Sequence, residues 1–373
     1  MLTLLAGPPA VAQALPGDWS WEVAYTADAV GVKRAGEQGG RLLDNLDLIA
    51  DGEFDHGLRV HAYVLNNSGG APNDLAGTLQ GVDNIEVARP HLRLYEFWVE
   101  QALPDDRFAV LAGLYDLNSE FYSNEAAGLL IAPPFGIGSE LAATGPNGPS
   151  IFPSTSLAVR LKFEDERGPY AQAAVLNAKA GVPGDPGGVD VEFEGGALYI
   201  AEAGWRRDGS HLGFGAWRYG DDQDDIRDVV LGAPAQREAA GLYVLGEHVL
   251  REGEAGRTLR GFFRAGVSDG DTTPFKGGWQ AGVLVERPFA GRPDSAFSVG
   301  LQQGILSDKY RANAFDAGLR LEDAESGVEV TYADKLGPVT IQPSVQYIPH
   351  PAGEQEEAWV VGLRFGFSLA SGD

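Results

Sequence analysis

The run Leu157-Ala158-Val159-Arg160-Leu161-Lys162-Phe163-Glu164 puts Leu157, Val159, Leu161 and Phe163 on one side of an extended chain and Arg160, Lys162 and Glu164 on the other. Successive side chains of a strand point to opposite faces, so this stretch is a ribbon with one apolar and one charged surface. A tight turn at Glu166-Arg167-Gly168 follows, and a second extended run begins at Pro169. The same alternation recurs in both directions along the chain. Leu58, Val60, Ala62 and Val64 oppose Arg59, His61 and Tyr63, and Tyr95, Phe97 and Val99 oppose Glu96, Trp98 and Glu100. Near the end, Trp359, Val361, Leu363, Phe365 and Phe367 oppose Gly362, Arg364 and Gly366.

This period predicts strands over 19–27, 42–54, 57–66, 91–103, 107–116, 155–165, 169–178 and 196–206, then over 210–220, 240–251, 257–268, 277–287, 295–305, 325–334, 338–348 and 357–369. The count is even, and each segment reaches the roughly 9 to 11 residues that a tilted strand needs to cross a bilayer. The connections discriminate further. Those at Asp55-His56, Pro104-Asp105-Asp106, Glu166-Arg167-Gly168, Arg207-Asp208-Gly209 and Lys335-Leu336-Gly337 are tight, and those at 252–256 and 288–294 are only slightly longer. The intervening ones, 67–90, 117–154, 179–194, 221–239 and 306–324, are long. Short turns on one rim and long loops on the other belong to a membrane barrel, whereas a soluble sandwich has no cause for that rhythm. The predicted fold is all-β: a 16-stranded antiparallel transmembrane β-barrel with short periplasmic turns and long external loops. The alternating stretch Ala312–Asp323 is read as external loop, because one more strand would make the count odd.

Composition agrees. Across 373 residues there are 51 Gly, no Cys and one Met, with 10% aromatics, and a mean hydropathy of -0.15 suits many short strands and turns. No apolar run reaches the ~20 residues of a membrane helix. A barrel escapes that test, because its lipid-facing and lumen-facing residues average to a mild hydropathy. The formal charge of -25 argues against nucleic acid as a partner, since phosphate binding needs clustered Lys and Arg. Residues Leu2–Val11 are mostly apolar or small and run into Ala12-Gln13-Ala14, an A-x-A processing pattern. Residues 1–14 are therefore expected to be the remnant of a signal peptide, and 15–373 a single barrel.

A closed barrel satisfies its own backbone and needs no apolar centre. Its interior is expected to be polar, with Arg59, His61, Glu96, Glu100, Arg160, Lys162, Glu202, Arg260 and Arg264 facing inward. Mixed charge in a wet lumen suits polar solutes. Enzymatic readings find no support. The six histidines lack metal-ligand spacing, there is no cysteine to supply a thiolate zinc site, and no G-x-S-x-G elbow, P-loop or dinucleotide fingerprint occurs. Glu96 and Glu100 lie roughly 13 Å apart along one strand face, too far for the usual glycosidase pair. No cofactor and no metal is expected, and the acidic run Asp221-Asp222-Gln223-Asp224-Asp225 is read as solvated loop in preference to a Ca²⁺ site.

The segment Leu117–Ser154 carries the sharpest local signal. It holds Leu117-Asn118-Ser119-Glu120-Phe121, Pro133-Pro134-Phe135-Gly136-Ile137-Gly138 and Gly145-Pro146-Asn147-Gly148-Pro149, with no Lys or Arg throughout. A connection this long is functional or disordered, and its aromatic, proline-rich, weakly charged character argues against disorder. With these runs on the page, the chain resembles the carbohydrate-selective porins of the OprB type. The matching stretches are Arg93–Gln101 (RLYEFWVEQ), Gly113–Phe121 (GLYDLNSEF), Phe135–Gly138 with Pro153–Leu157, and Val330–Tyr332 with Thr340–Ile348 and Val361–Phe365.

That resemblance implies a bacterial outer-membrane channel through which small sugars diffuse inward, with 117–154 folded into the lumen as a constriction. It also implies a lining drawn from Glu96, Trp98, Glu100, Asp116, Asn118, Glu120, Arg160 and Lys162. Aromatic faces and polar groups of this kind supply weak, reversible contacts to sugar rings and hydroxyls. The expected surroundings are outer-membrane lipid and lipopolysaccharide, and the chain is expected as monomer or homotrimer. Competing readings are a general or cation-preferring diffusion channel, an extracellular β-rich binding module, and an outer-membrane hydrolase whose loops bring a His beside a Ser.

Overall fold

The computed structural model describes residues 17–104 and 107–371, so the proposed processing site at Ala12–Ala14 lies outside the described residues. In chain order the strands are β1 (Asp18–Arg34), β2 (Glu37–Phe54), β3 (Leu58–Gly69), β4 (Leu92–Ala102), β5 (Phe108–Tyr115), β6 (Ser156–Glu164), β7 (Pro169–Asn177), β8 (Ala197–Arg207) and β9 (Ser210–Tyr219). They continue with β10 (Gln223–Val230), β11 (Ala233–Arg237), β12 (Ala240–Glu252), β13 (Thr258–Ser268), β14 (Phe275–Glu286), β15 (Ala296–Leu306), β16 (Ala324–Leu336), β17 (Val339–Ile348) and β18 (Ala358–Ala370). Three short helices, α1 (Asn73–Ala76), α2 (Ser139–Ala142) and α3 (Asp308–Asp316), occupy the long connections. All strands except β10 and β11 close into one sixteen-stranded antiparallel barrel, with β9 pairing directly to β12. The seam joins β1 to β18, where Arg364 forks onto Asp28, its register partner, at 2.9 and 2.6 Å.

Alternation decides the two surfaces. Trp21, Leu161, Phe214, Leu242 and Val361 point outward and are 50–60% exposed, while Arg160, Glu202, Tyr243 and Val360 beside them point inward and are buried. Outward aromatics gather near the two rims: Trp19, Trp21 and Trp205 close to the short turns, and Tyr199, Tyr347 and Trp359 close to the long loops. Such girdles mark the membrane interfaces of transmembrane barrels, in which the short turns form the periplasmic rim.

The structure corrects four expectations. Residues 28–41, left between strands in the sequence reading, are strand, and the tight Ala35-Gly36 turn sits on the long-loop rim. The strands run on because Val30, Val32 and Leu43 find apolar cover against Leu75, Ala76 and Val82 from the next connection. Tyr95 does not share the lipid face of Phe97 and Val99. A bulge where Tyr63 pairs with Glu96 and Val64 with Leu94 turns it inward, and its hydroxyl donates to Asp116 at 2.6 Å. The connection 221–239 holds its own hairpin, β10–β11. Finally, the interior is not polar throughout: Leu111, Leu176, Ile200, Trp217, Tyr243 and Leu245 face inward and form a buried apolar cluster with Phe121, Tyr122 and Leu141 of the folded-in segment.

The β10–β11 hairpin is fastened to α3 by charge. Lys309 donates to Asp225, to Asp228 at 2.9 Å and to Asp271 at 3.0 Å, and Arg227 pairs with Asp316 at 2.8 Å. Desolvation raises the Asp225 carboxyl, but Lys309, the backbone N–H groups of Asp228 and Arg227, and Arg237 outweigh it and hold the group below the usual carboxylate range. A carboxylate depressed in the folded state contributes stability that is complete above its unfolded value, ~3.9, and is lost as pH falls toward the folded value. The hairpin should therefore stay fastened from neutral pH down to about pH 4 and loosen on stronger acidification. Asp225→Asn should loosen it at neutral pH. Hydrogen exchange over 223–237 reads both, and protection already decaying between neutral and mildly acid pH would contradict the assignment.

Candidate functional site: the folded-in segment and the inner wall

The segment 117–154 has few helical hydrogen bonds of its own, so its backbone groups need partners inside the barrel. The wall supplies them. Tyr122 N donates to Glu202 at 3.3 Å, Ala126 N to Glu247 at 2.7 Å, and Ile131 N and Ala132 N to Glu329 at 2.7 and 2.8 Å. Carbonyls are met from the opposite sign: Arg264 donates to Tyr122 O at 3.1 Å, Gly136 O at 2.9 Å and Pro134 O at 2.5 Å, and Gln342 to Leu129 O at 2.7 Å. Room is made by an inward glycine. A Cβ at Gly300 would sit 2.5 Å from Leu130 and Phe135, so β15 admits the segment only because that position has no side chain.

A second connection, 70–91, also folds inward. Leu79 N and Gln80 N donate to Glu325 at 2.8 and 3.0 Å, Gln346 donates to Val82 O at 2.7 Å, and Arg364 reaches Asn84 at 2.7 Å. Gln80 Nε2 further donates to Gln302 at 2.8 Å, and Ser139 of α2 donates to Gln80 Oε1, which ties the two segments together. The signal for this second element was present: from Gly70 to Val87 the chain has no Lys or Arg and carries Leu75, Leu79, Val82 and Ile85, the same character as 117–154.

The residues singled out from sequence divide into three sets. Glu202 and Arg264 face inward but are buried beneath 117–154, and they serve its backbone in place of any solute. Asp116 and Asn118 belong to its start: Asp116 accepts from Tyr95 and from Asn118 N at 2.8 Å, and Asn118 donates to Phe121 O and Gly136 O. The others form a charged band toward the short-turn rim. Arg160 donates to Glu100 at 2.7 Å and to Glu120 at 2.7 and 3.0 Å, Lys162 donates to Glu120 at 3.1 Å, and Arg59 to Glu100 at 3.2 Å. Burial alone would raise the Glu120 carboxyl, yet Arg160 and Lys162 hold it below its ordinary value. Arg260 pairs with Glu247 at 2.9 Å and Glu125 at 3.2 Å.

Trp98 lies in this band. Its ring stacks on His61, with centroids 4.7 Å apart and planes 15° from parallel, and the Arg59 guanidinium stands 6.0 Å from it. His61 is held by Asp51 at 2.8 Å and lies 3.8 Å from Glu96, which in turn accepts from Asp116 N at 3.0 Å. Arg59 keeps about half of its side chain exposed, and Lys162 nearly a quarter. The sequence reading missed Glu247, Glu325 and Glu329, although Glu329 stands between Val328 and Val330, where alternation alone turns it inward. It also missed Asp51, the partner that orients His61.

The family model described as the carbohydrate-selective porins, OprB family, matches residues 45–369. The chain belongs to this family. Its fold is that of solved porins: the structure of Pseudomonas putida OprB at high pH superposes with a TM-score of 0.82 at 20% identity, covering 94% of each chain. The outer-membrane channel DcaP of Acinetobacter baumannii superposes with a TM-score of 0.56 at 11% identity, over 95% of this chain and all of that one. Identities this low carry the fold alone. Among curated proteins, the candidate porin QuiX of Acinetobacter baylyi is 27% identical over 119 residues, and the matched stretch spans 27% of its length. An OprB-family barrel is a channel scaffold, and here both 70–91 and 117–154 fold inside it against the inner wall.

Proposed function

We propose that this OprB-family barrel sits in the bacterial outer membrane and passes small sugars by passive diffusion, with Trp98, Arg59, Glu120 and Lys162 as the solute-facing surface beside the inward segment, held in place by the buried Arg160 and Glu100 behind them. The observation that carries the reading is the juxtaposition of a flat indole with ionised donors and acceptors on a wall that 117–154 leaves partly exposed. A sugar offers an apolar ring face and a rim of hydroxyls, so an aromatic plane bordered by fixed charges engages both without binding tightly enough to trap it. Asp51 and Glu53 border the same wall, which favours neutral over anionic solutes.

Planar-bilayer recordings of the full chain test this. Current through the wild-type channel should be reduced by mono- and disaccharides, and Trp98→Ala should weaken that block about 2- to 10-fold, the equivalent of ~0.4–1.4 kcal/mol of lost ring contact. Indifference to every sugar together with a strong preference for cations would replace this reading with a general cation-preferring channel. Cross-linking in the membrane distinguishes the monomer from the homotrimer.

A further inference from the structure

We propose that the periplasmic rim around the β14–β15 turn binds the headgroup of an anionic glycerophospholipid from the facing leaflet. The site rests on the outer-membrane placement of the barrel and is separate from the lumen.

A cavity of about 1020 Å³ at this rim is lined by the apolar Leu259, Val285 and Phe289 and by Arg251, Arg257 and Arg287. Leu259 and Val285 are register partners on the lipid-facing row of β13 and β14, and Phe289 stands 58% exposed beyond them. Arg251 reaches this face through a bulge. In β12, Val249 pairs with Arg260 but Arg251 pairs with Leu259, so the extra residue turns Arg251 from the lumen side to the row that meets lipid. An arginine set against hydrocarbon is disfavoured unless a counter-charge or headgroup receives it.

The neighbouring turn fixes its two arginines with backbone carbonyls. Arg257 donates to Arg287 O at 3.4 Å and Pro288 O at 2.9 Å, and Arg287 donates to Pro293 O at 3.2 Å, so backbone carbonyls orient these two guanidinium groups. Arg251 and Arg257 form no ion pair among the described residues. A Cβ at Gly256 would lie 2.3 Å from the Arg287 guanidinium, so a bare backbone lets that group lie against the turn. Glu252 and Glu254 also border the cavity, but the register partner of Glu252 is Thr258, on the lumen-facing row. Arg292 is already paired with Asp334 at 2.6 Å and is not part of the site.

On a chain of net charge -25, several arginines around an apolar recess at the membrane interface complement a phosphate joined to acyl chains. Arginine suits a phosphate through its planar fork of donors, and Leu259, Val285 and Phe289 suit the first methylenes of the chains.

Native mass spectrometry of the detergent-solubilised full chain, with dioleoylphosphatidylglycerol or dioleoylphosphatidylcholine added at equal concentration, tests the site. The wild type should retain the anionic lipid in preference, and retention should fall about fivefold for each arginine removed in Arg251→Gln and in the double variant Arg251→Gln/Arg257→Gln. The heat-dependent gel shift of the barrel confirms that the variants are folded. Arg251→Gln, whose side chain makes no hydrogen bond or ion pair among the described residues, keeps the test intact should the double variant fold poorly. Equal retention of both lipids, or full retention by Arg251→Gln, would overturn the proposal. Displacement of the lipid by inorganic phosphate at the same concentration would also overturn it, because the recess would then take a free anion and not a lipid.

Discussion

Arg264→Ala is expected to free the 117–154 segment from the inner wall and widen the channel. One guanidinium donates to the carbonyls of Tyr122, Pro134 and Gly136, which bracket the middle of the segment. Arg264 is 3% exposed and Pro134 is buried, so no solvent takes over when the donor goes. Leaving a buried acceptor unmet costs about 1–3 kcal/mol, and three at one locus place the loss at ~3–9 kcal/mol before relaxation. The barrel's own hydrogen bonds do not pass through Arg264, so the loss falls on the segment and not on the sheet. Single-channel conductance should rise, sugar block should weaken, and proteases should cut within 117–154 while the heat-dependent gel shift persists. Unchanged conductance with an uncut segment would show that Glu202, Glu247, Glu329 and the apolar contacts hold it unaided.

Arg160→Met has the opposite character: it should destabilise the barrel itself. Arg160 ties Glu100 of β4 to Glu120 of the inward segment and is only 2% exposed. Removing one partner of a buried ionic set leaves uncompensated charge and typically costs 3–5 kcal/mol, roughly. Glu100 keeps Arg59 and Glu120 keeps Lys162, which places the expected effect toward the lower end, about 3 kcal/mol. The double variant Arg160→Met/Glu120→Gln should recover part of the loss, since it removes the stranded charge as well. Urea unfolding followed by tryptophan fluorescence measures both. A double variant less stable than the sum of the single changes would mean that the network acts through packing and not through charge.

Much of the fold was legible because a barrel strand is a local pattern: Leu157 to Glu164 alternates whatever the rest of the chain does. Where the reading went astray, a distant contact had overridden local appearance. Gly39 and Gly40 look like strand breakers, yet they lie inside β2, and a Cβ at Gly39 would collide with Leu75 of the connection 70–91. Tyr95 alternates with Phe97 on paper, but a one-residue bulge opposite Tyr63 moved it to the lumen. The candidate site was half visible. Alternation turned Arg160, Lys162, Glu202 and Arg264 inward, but nothing local separates an inward residue that meets water from one that lies under a loop.

Taken alone, the amino-acid order determined the number of barrel strands, the lipid-facing row and the inward charges, because strand periodicity and turn chemistry act over a few residues. The tertiary structure decided which inward charges became anchors and which stayed exposed. That choice depends on where 70–91 and 117–154 settle, and they settle where Glu202, Glu247, Glu325, Glu329 and Arg264, from strands far apart in sequence, converge on backbone groups that have no partner of their own.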